Sequence, residues 1–216
     1  MNRSREAELA PNLLRLPKLF SVGPPATRLV GRRITLRPPS RDDFDAWAQV
    51  RGESRRFLVP WEPTWPPDAL SRASYRQRLL HYAAEWRSGQ SYNFFLFDNV
   101  DEQLLGGIGL NQVRHGVAES GSLGYWMGER FARQGYMSDA LQLMLGFAFG
   151  RLKLHRLEAA CLPHTHASAG ALLKAGFREE GYAKEYLCID GKWQDHLLFG
   201  VLRDEWAERM EIGDLG

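Results

Sequence analysis

Polar and apolar residues alternate over residues 33–37, which predicts a first strand, and Pro38 and Pro39 end it because proline cannot donate to a ladder. The period then lengthens: Phe44, Trp47 and Val50 follow Ser40 at helical spacing with Asp42 in the first turn, so a helix capped by Ser40 is predicted. A second helix is expected over residues 70–88, burying Leu79, Leu80, Ala83 and Trp86 and stopped by Gly89. Apolar runs at 92–97 and 104–113, joined by a polar turn at 98–102, predict a hairpin, and a second hairpin through 114–119 leads to a short aromatic strand at 123–127. From Met137 the apolar positions Met137, Leu141, Met144, Leu145, Ala148 and Leu152 form the stripe of an amphipathic helix. A strand at 156–161, a short helix within 163–177 closed by Gly176 and a core strand at 197–202 complete the pattern, and hairpins with three or four helices suit α+β packing.

Composition narrows this picture. With 216 residues and 44% hydrophobic content the chain supports one sizeable core, placed at residues 29–210 as a single domain. Residues 1–28 carry Pro11, Pro17, Pro24 and Pro25 with little periodicity, which predicts an arm that is extended or partly disordered. Twenty-eight Lys and Arg against 26 Asp and Glu, a net charge of +2, argue for neither nucleic acid nor an anionic membrane surface as partner. No apolar run approaches the ~18 residues of a membrane span, and Arg15, Pro17 and Lys18 interrupt the N-terminal segment as a signal peptide. Cys161 and Cys188 form no paired motif, so a reducing, cytoplasmic location is expected.

Candidate chemistry concentrates where the 123–127 strand passes through a loop into the helix beginning at Met137. A helix start leaves several N–H groups unpaired at the positive end of the dipole, Gly135 removes a Cβ from the approach of an anion, and Arg130 and Arg133 add charge. The same residues also fit an ordinary strand-to-helix turn with solvated arginines. The segment 56–67, with two tryptophans, four prolines and Glu62, is expected to be a stiff aromatic loop fit to be a substrate wall. Its apolar neighbours would raise the pKa of Glu62, which makes that carboxylate the first candidate general base, ahead of Glu185 and Asp195. Gly106, Gly107 and Gly109 lack the strand–turn–helix context of a nucleotide fingerprint and are read as a bulge or a close backbone approach. Cys161, His164 and His166 lack a fourth ligand, so no metal is expected.

The loop resembles the pyrophosphate loop of the GNAT N-acetyltransferases, although of the family's Gln/Arg-x-x-Gly-x-Gly/Ala positions, here Ala132, Gly135 and Met137, only the central glycine is kept. Ser168, followed by Gly176-Phe177 and Glu180-Gly181, is similar in order and spacing to the family's second acetyl-CoA motif, and the likeness spans residues 29–202. The resemblance implies a mixed, mostly antiparallel, seven-stranded sheet split at the cofactor and flanked by helices, with acetyl-CoA as cosubstrate. Trp126, Met127, Arg133, Gln134, Gly135, Tyr136, Met137, Ser138 and Ser168 would contact it, Trp126 or Met127 offering an oxyanion-binding N–H and Ser168 a proton for the departing thiolate. On the residues alone, Ser168 serves equally as a helix cap. Segments 56–63 and 181–196 and the pair His155-Arg156 resemble one branch of the family, which implies acetyl transfer to the α-amine of an alanine-type N-terminal peptide of a ribosomal protein, with contact to a ribosome or assembly particle. The sequence departs from the family at Ser122, where a glutamate is usual, at Thr165, where an asparagine is usual, and at Leu172, where a tyrosine is frequent. Two alternatives therefore stay open: a small-molecule amine acetyltransferase with a deep acidic pocket, and an assembly or binding protein with little catalysis whose basic N-terminal arm, with Arg28, Arg32 and Arg33 close behind, touches ribosomal RNA.

Overall fold

Phe94, Phe95, Leu96 and Phe97 are four consecutive buried residues in one strand, which requires apolar cover on both faces of the sheet. Both faces are covered in the computed structural model, which describes residues 27–213, so the arm expected at 1–28 lies almost wholly outside the described residues. On one face Phe95 and Phe97 pack with Trp47, Val50 and Tyr75; on the other Phe94 and Leu96 join Leu141, Met144, Leu172 and Phe177.

The chain runs β1 (Leu29–Val30), β2 (Ile34–Arg37), α1 (Phe44–Glu53), α2 (Arg55–Leu58), α3 (Arg72–Ser88), β3 (Tyr92–Asp98), β4 (Leu104–Arg114) and β5 (Ser120–Met127). It continues through α4 (Tyr136–Leu145), a π-helical turn, β6 (Arg156–Cys161), α5 (His166–Ala175), β7 (Arg178–Ile189), β8 (Lys192–Leu202) and α6 (Arg203–Gly213). The strands form one sheet in the order β1-β2-β3-β4-β5-β6-β8-β7, antiparallel except for β5 with β6. Among the described residues the count is eight rather than seven, because the two-residue β1 adds an edge through Leu29↔Leu36 and Val30↔Thr35.

Several elements depart from the sequence pattern. Residues 181–196, for which no strand is predicted, are most of the β7–β8 hairpin; β7 is an edge strand exposed on both faces and so shows no alternation to read. The start of the Trp-Pro segment is helical, in α2 and the single turn Val59–Trp61 that follows it. The helix α3 begins after Ser71, whose Oγ accepts from Ser74 N at 3.1 Å, and ends at Gly89 with φ +70° as expected, but Leu80 is exposed and Tyr75 is buried in its place.

The feature that positions the site is the end of one ladder. Pairing between β5 and β6 stops at Leu123↔Ala159, whereas β5 runs on to Met127 beside β4 and β6 runs on to Cys161 beside β8. Past Leu123 the two parallel strands part, and backbone groups on their facing edges are released from the ladder.

Candidate active site

The loop leaving β5 is anchored at its start by Gly128 N donating to Leu105 O at 2.8 Å and Glu129 N donating to Ser54 Oγ at 2.9 Å. It ends with Arg133 at φ +62° and Gly135 at φ +84°, so two left-handed residues turn the chain into α4. Gly135 is the N-cap and brings no side chain to the first-turn N–H groups, which leaves the positive end of α4 open to an anion. Arg133 and Gln134 are exposed at the tip, and Tyr136, Met137 and Ser138 are half-buried in the first turn. Arg130 lies over the Phe131 ring, 4.5 Å from its centroid.

A cation from elsewhere crosses this turn. Arg33 donates through Nε to Asp139 Oδ2 at 2.7 Å and through Nη1 to Gln134 O at 3.1 Å, and its guanidinium lies 4.9 Å from the Tyr136 ring centroid. The Asp139 hydrogen bond, against some desolvation, holds its pKa above the ordinary arginine value. Of the three arginines considered for RNA contact, Arg33 is thus committed to this loop while Arg28 and Arg32 are exposed.

On the α1–α3 face of the sheet, a cavity of about 820 Å³ lies over β3, β4 and β5. Its floor is built from glycine: a Cβ at Gly107 would lie 2.4 Å from Trp126 Nε1, and one at Gly109 would lie 2.6 Å from Asn93 Oδ1. Both expected roles occur: the β3–β4 register shifts beside Gly106, where a Cβ would lie 2.4 Å from the backbone oxygen of Trp126, and Gly107 and Gly109 admit close approach by side chains. The Trp-Pro segment forms a wall, tied to the tip of the β7–β8 hairpin by Asp190 N donating to Glu62 O at 2.9 Å.

Glu62 faces this cavity, but its surroundings differ from those expected. Arg51, on α1, donates to both of its carboxylate oxygens at 3.1 and 2.5 Å, and Trp65 Nε1 donates to Oε2 at 2.8 Å. Indole rings draw the guanidinium in: it lies 4.4 Å from the centroid of Trp65 and 4.9 Å from that of Trp126. Since the Arg51 side chain is only 10% exposed, Glu62→Ala leaves a buried cation unpaired and is expected to lower unfolding stability by about 3 kcal/mol, measured by urea denaturation. Replacing both members with methionine should recover most of that loss.

On the opposite face of β5, Tyr125 points to α5 and its hydroxyl lies 2.8 Å from Ser168 Oγ. Thr165, not Ser168, holds the N-cap position of α5, and the Ser168 hydroxyl is engaged by Tyr125. Burial pushes Tyr125 up to about 12, partly offset by the Ser168 hydrogen bond, so the phenol keeps its proton at neutral pH. Burial also pushes the Cys161 thiol up, partly offset by Ser168, and Tyr125 and Cys161 each lie two residues past the last β5–β6 pair.

An alkaline titration tests this arrangement. An unfolded tyrosine ionises near 10 and folded Tyr125 near 12, so between these values the unfolded state sheds the proton first. The stability from burying the neutral phenol is fully present below about pH 10 and is lost as pH rises through about 12, a fall on the order of 3 kcal/mol. Tyr125→Phe should flatten this part of the stability curve, and near-ultraviolet absorbance should show one fewer late-titrating phenol.

Trp126 and Glu62 thus meet through Arg51, and Ser168 reaches the same strand from its other side, whereas Gly135 to Ser138 lie at the start of α4. Asp195 is engaged by the Tyr182 hydroxyl and Glu185 N, and the Tyr182 hydrogen bond holds its pKa below the usual carboxylate value. Among the described residues no group of three or more His, Cys, Asp and Glu side chains is gathered as a metal site, and the His164 ring packs 5.3 Å from Trp61. Sequence reasoning missed Arg33, Arg51 and Tyr125. Only Arg51 left a usable signal, lying four residues after Trp47 on the inward stripe of its helix.

The family described as Acetyltransferase (GNAT) domain matches residues 33–178. The chain is 33% identical over 185 residues to the [ribosomal protein uS5]-alanine N-acetyltransferase of Escherichia coli (strain K12), a match covering 85% of this chain and 94% of that protein. Mycobacterium smegmatis RimJ in complex with CoA-disulfide superposes with a TM-score of 0.76 at 32% identity, covering 84% of this chain and 89% of that one. The ribosomal-protein-S5-alanine acetyltransferase of Vibrio fischeri superposes with a TM-score of 0.77 at 27% identity, covering 83% and 98% of the two chains.

Proposed function

The chain belongs to the GNAT acetyltransferase family and is an acetyl-CoA-dependent N-acetyltransferase, and on that premise we propose that its acceptor is the alanine-type N-terminal α-amine of a ribosomal protein. The observation that carries this reading is the likeness, along nearly the whole length of both proteins, to an enzyme named for that reaction. The cavity supports it: Arg51, Arg78 and Arg114 line it against Glu62 and Glu85, so it is not the acidic pocket that a polyamine or aminoglycoside calls for. In this reading the enzyme works in the cytoplasm, and its exposed Arg28 and Arg32 meet the ribosome or an assembly particle.

The turn into α4 takes the pyrophosphate of acetyl-CoA, with Gly135, Tyr136, Met137 and Ser138 offering backbone N–H groups and Arg133 and Gln134 closing around it. The parted strands admit the thioester arm, and the N–H of Trp126 or Met127 meets the carbonyl oxygen as it gains charge. The amine nitrogen bonds to the carbonyl carbon as the carbon–sulfur bond breaks. Ser168 gives its proton to the departing thiolate and takes one from Tyr125, and the phenol recovers its proton from solvent water as CoA leaves, so the net transfer runs from amine to thiol. An α-amine with a pKa of about 7.7 to 8.0 is already partly neutral, so Glu62 need only receive its proton through water while Arg51 keeps the carboxylate in place.

Mass spectrometry of synthetic peptides with free Ala, Ser or Thr N-termini, set beside amine-blocked copies and polyamine or aminoglycoside acceptors, tests the proposal. Transfer confined to the free α-amines supports it. Acetylation of the polyamines alone, or none at all by protein shown to bind acetyl-CoA, rejects it.

A further inference from the structure

Asn93 on β3 and Asn111 on β4 stand over the same point of the cavity floor. The position that a Cβ would take on Gly109 is 2.6 Å from Asn93 Oδ1 and 3.2 Å from Asn111 Oδ1. Asn93 Nδ2 is buried without a hydrogen-bond partner, and Asn111 Nδ2 reaches only Gly109 O, at 3.4 Å. A buried amide left this short of partners is costly unless something else completes it. Gly109 pairs with Gly124, the first residue of β5 past the last β5–β6 pair, so both carboxamides sit level with the opening between the strands.

We propose that Asn93 and Asn111 form the acceptor-recognition pair, reading the N–Cα–C=O unit of an α-amino acyl group; the inference rests on the α-amine reading and names the residues that select it. Each carboxamide has one acceptor oxygen and one donor NH2, and either can flip to present the other. One oxygen receives an N–H of the α-amine while the neighbouring NH2 donates to the first carbonyl of the peptide, which satisfies the orphaned donor. A lysine ε-amine or a polyamine offers the amine without the adjacent carbonyl, leaves that donor unpaired, and is disfavoured for this reason. Gly107 and Gly109 let Trp126 and the two carboxamides lie close against β4, so the unit meets these side chains rather than the backbone beneath them.

The test is binding rather than turnover. Calorimetric titration of CoA-saturated protein compares alanine amide with isopropylamine, the same amine without its carbonyl, for wild type, Asn93→Ala, Asn111→Ala and the double variant. Wild type should prefer alanine amide by at least about tenfold and the double variant should bind the two ligands nearly equally, as expected for loss of one or two hydrogen bonds. Affinity for CoA should not fall in any variant, nor the melting temperature in Asn93→Ala, since the Asn93 amide donor makes no bond in the free protein. A preference absent in wild type, or retained in the double variant, overturns the assignment. Protein that binds alanine amide through these residues yet acetylates no peptide leaves the pair standing and removes the transferase reading of the acceptor.

Discussion

Alanine at position 168 is expected to lower kcat by roughly a thousandfold with little change in the affinity for acetyl-CoA, within the range that a positioned general acid contributes, and Tyr125→Phe by a smaller factor of roughly tenfold to a hundredfold. The hydroxyl at issue is not occupied in capping α5, because Thr165 holds the N-cap and Ser168 instead meets Tyr125 at 2.8 Å. With its pKa pushed up to about 12, Tyr125 is a full reservoir at neutral pH but a poor donor by itself, and the serine is the shorter step to the sulfur. Steady-state kinetics alone would not separate a proton donor from a packing group. The deciding comparison uses an acetyl thioester of a more acidic thiol, which leaves without help. If Ser168 supplies the proton, Ser168→Ala recovers much of its rate with that donor. An equal deficit with both thioesters would remove Ser168 from the chemistry and leave it a structural contact of Tyr125.

Legibility in the sequence tracked how local each interaction is. The strand, loop and helix around Gly135 were readable because a glycine with positive φ, a change of period and a helix start all fall within ~20 residues. Gly89 and Gly176 announced their helix ends for the same reason, at φ +70° and +108°. The edge strand β7 was not readable, since exposure of both faces erases the period of two that marks a half-buried strand. Tyr125 looked like one more aromatic in a strand; its role comes from a partner 43 residues away, which no spacing encodes. Arg33 lies 106 residues from Asp139, and its alternating strand pattern gave no hint that its head would reach the α4 turn. Glu62 is the instructive case. The aromatic company expected around it is present, but rings rich in π-density also attract a guanidinium, and Arg51 arrives from α1 to occupy the carboxylate. Composition of the segment alone pointed to an isolated acid, whereas the fold makes it one half of an ion pair.

Valine at position 135 should raise the dissociation constant for acetyl-CoA by roughly a thousandfold while leaving the protein folded, because two effects act together at the turn into α4. A β-branched residue is strained at φ +84°, costing about 1–2 kcal/mol if that backbone is kept. If the backbone relaxes, the N–H groups of the first turn lose their common direction and with it their charge-assisted bonds to a pyrophosphate, each worth about 1.5–3 kcal/mol. The new side chain also meets Arg33, since even a Cβ at this position lies 3.0 Å from Arg33 Nη2, so the guanidinium crossing the turn must move as well. Gly146→Ala is the matched control: that glycine has φ −58° with no atom within 4 Å of an added Cβ, and its substitution should leave binding unchanged. Titration with CoA and with dephospho-CoA lacking the 3′-phosphate locates the defect. Loss of affinity by the same factor for both ligands places it at the pyrophosphate, and a loss confined to intact CoA would mean that the turn at Gly135 holds the 3′-phosphate instead.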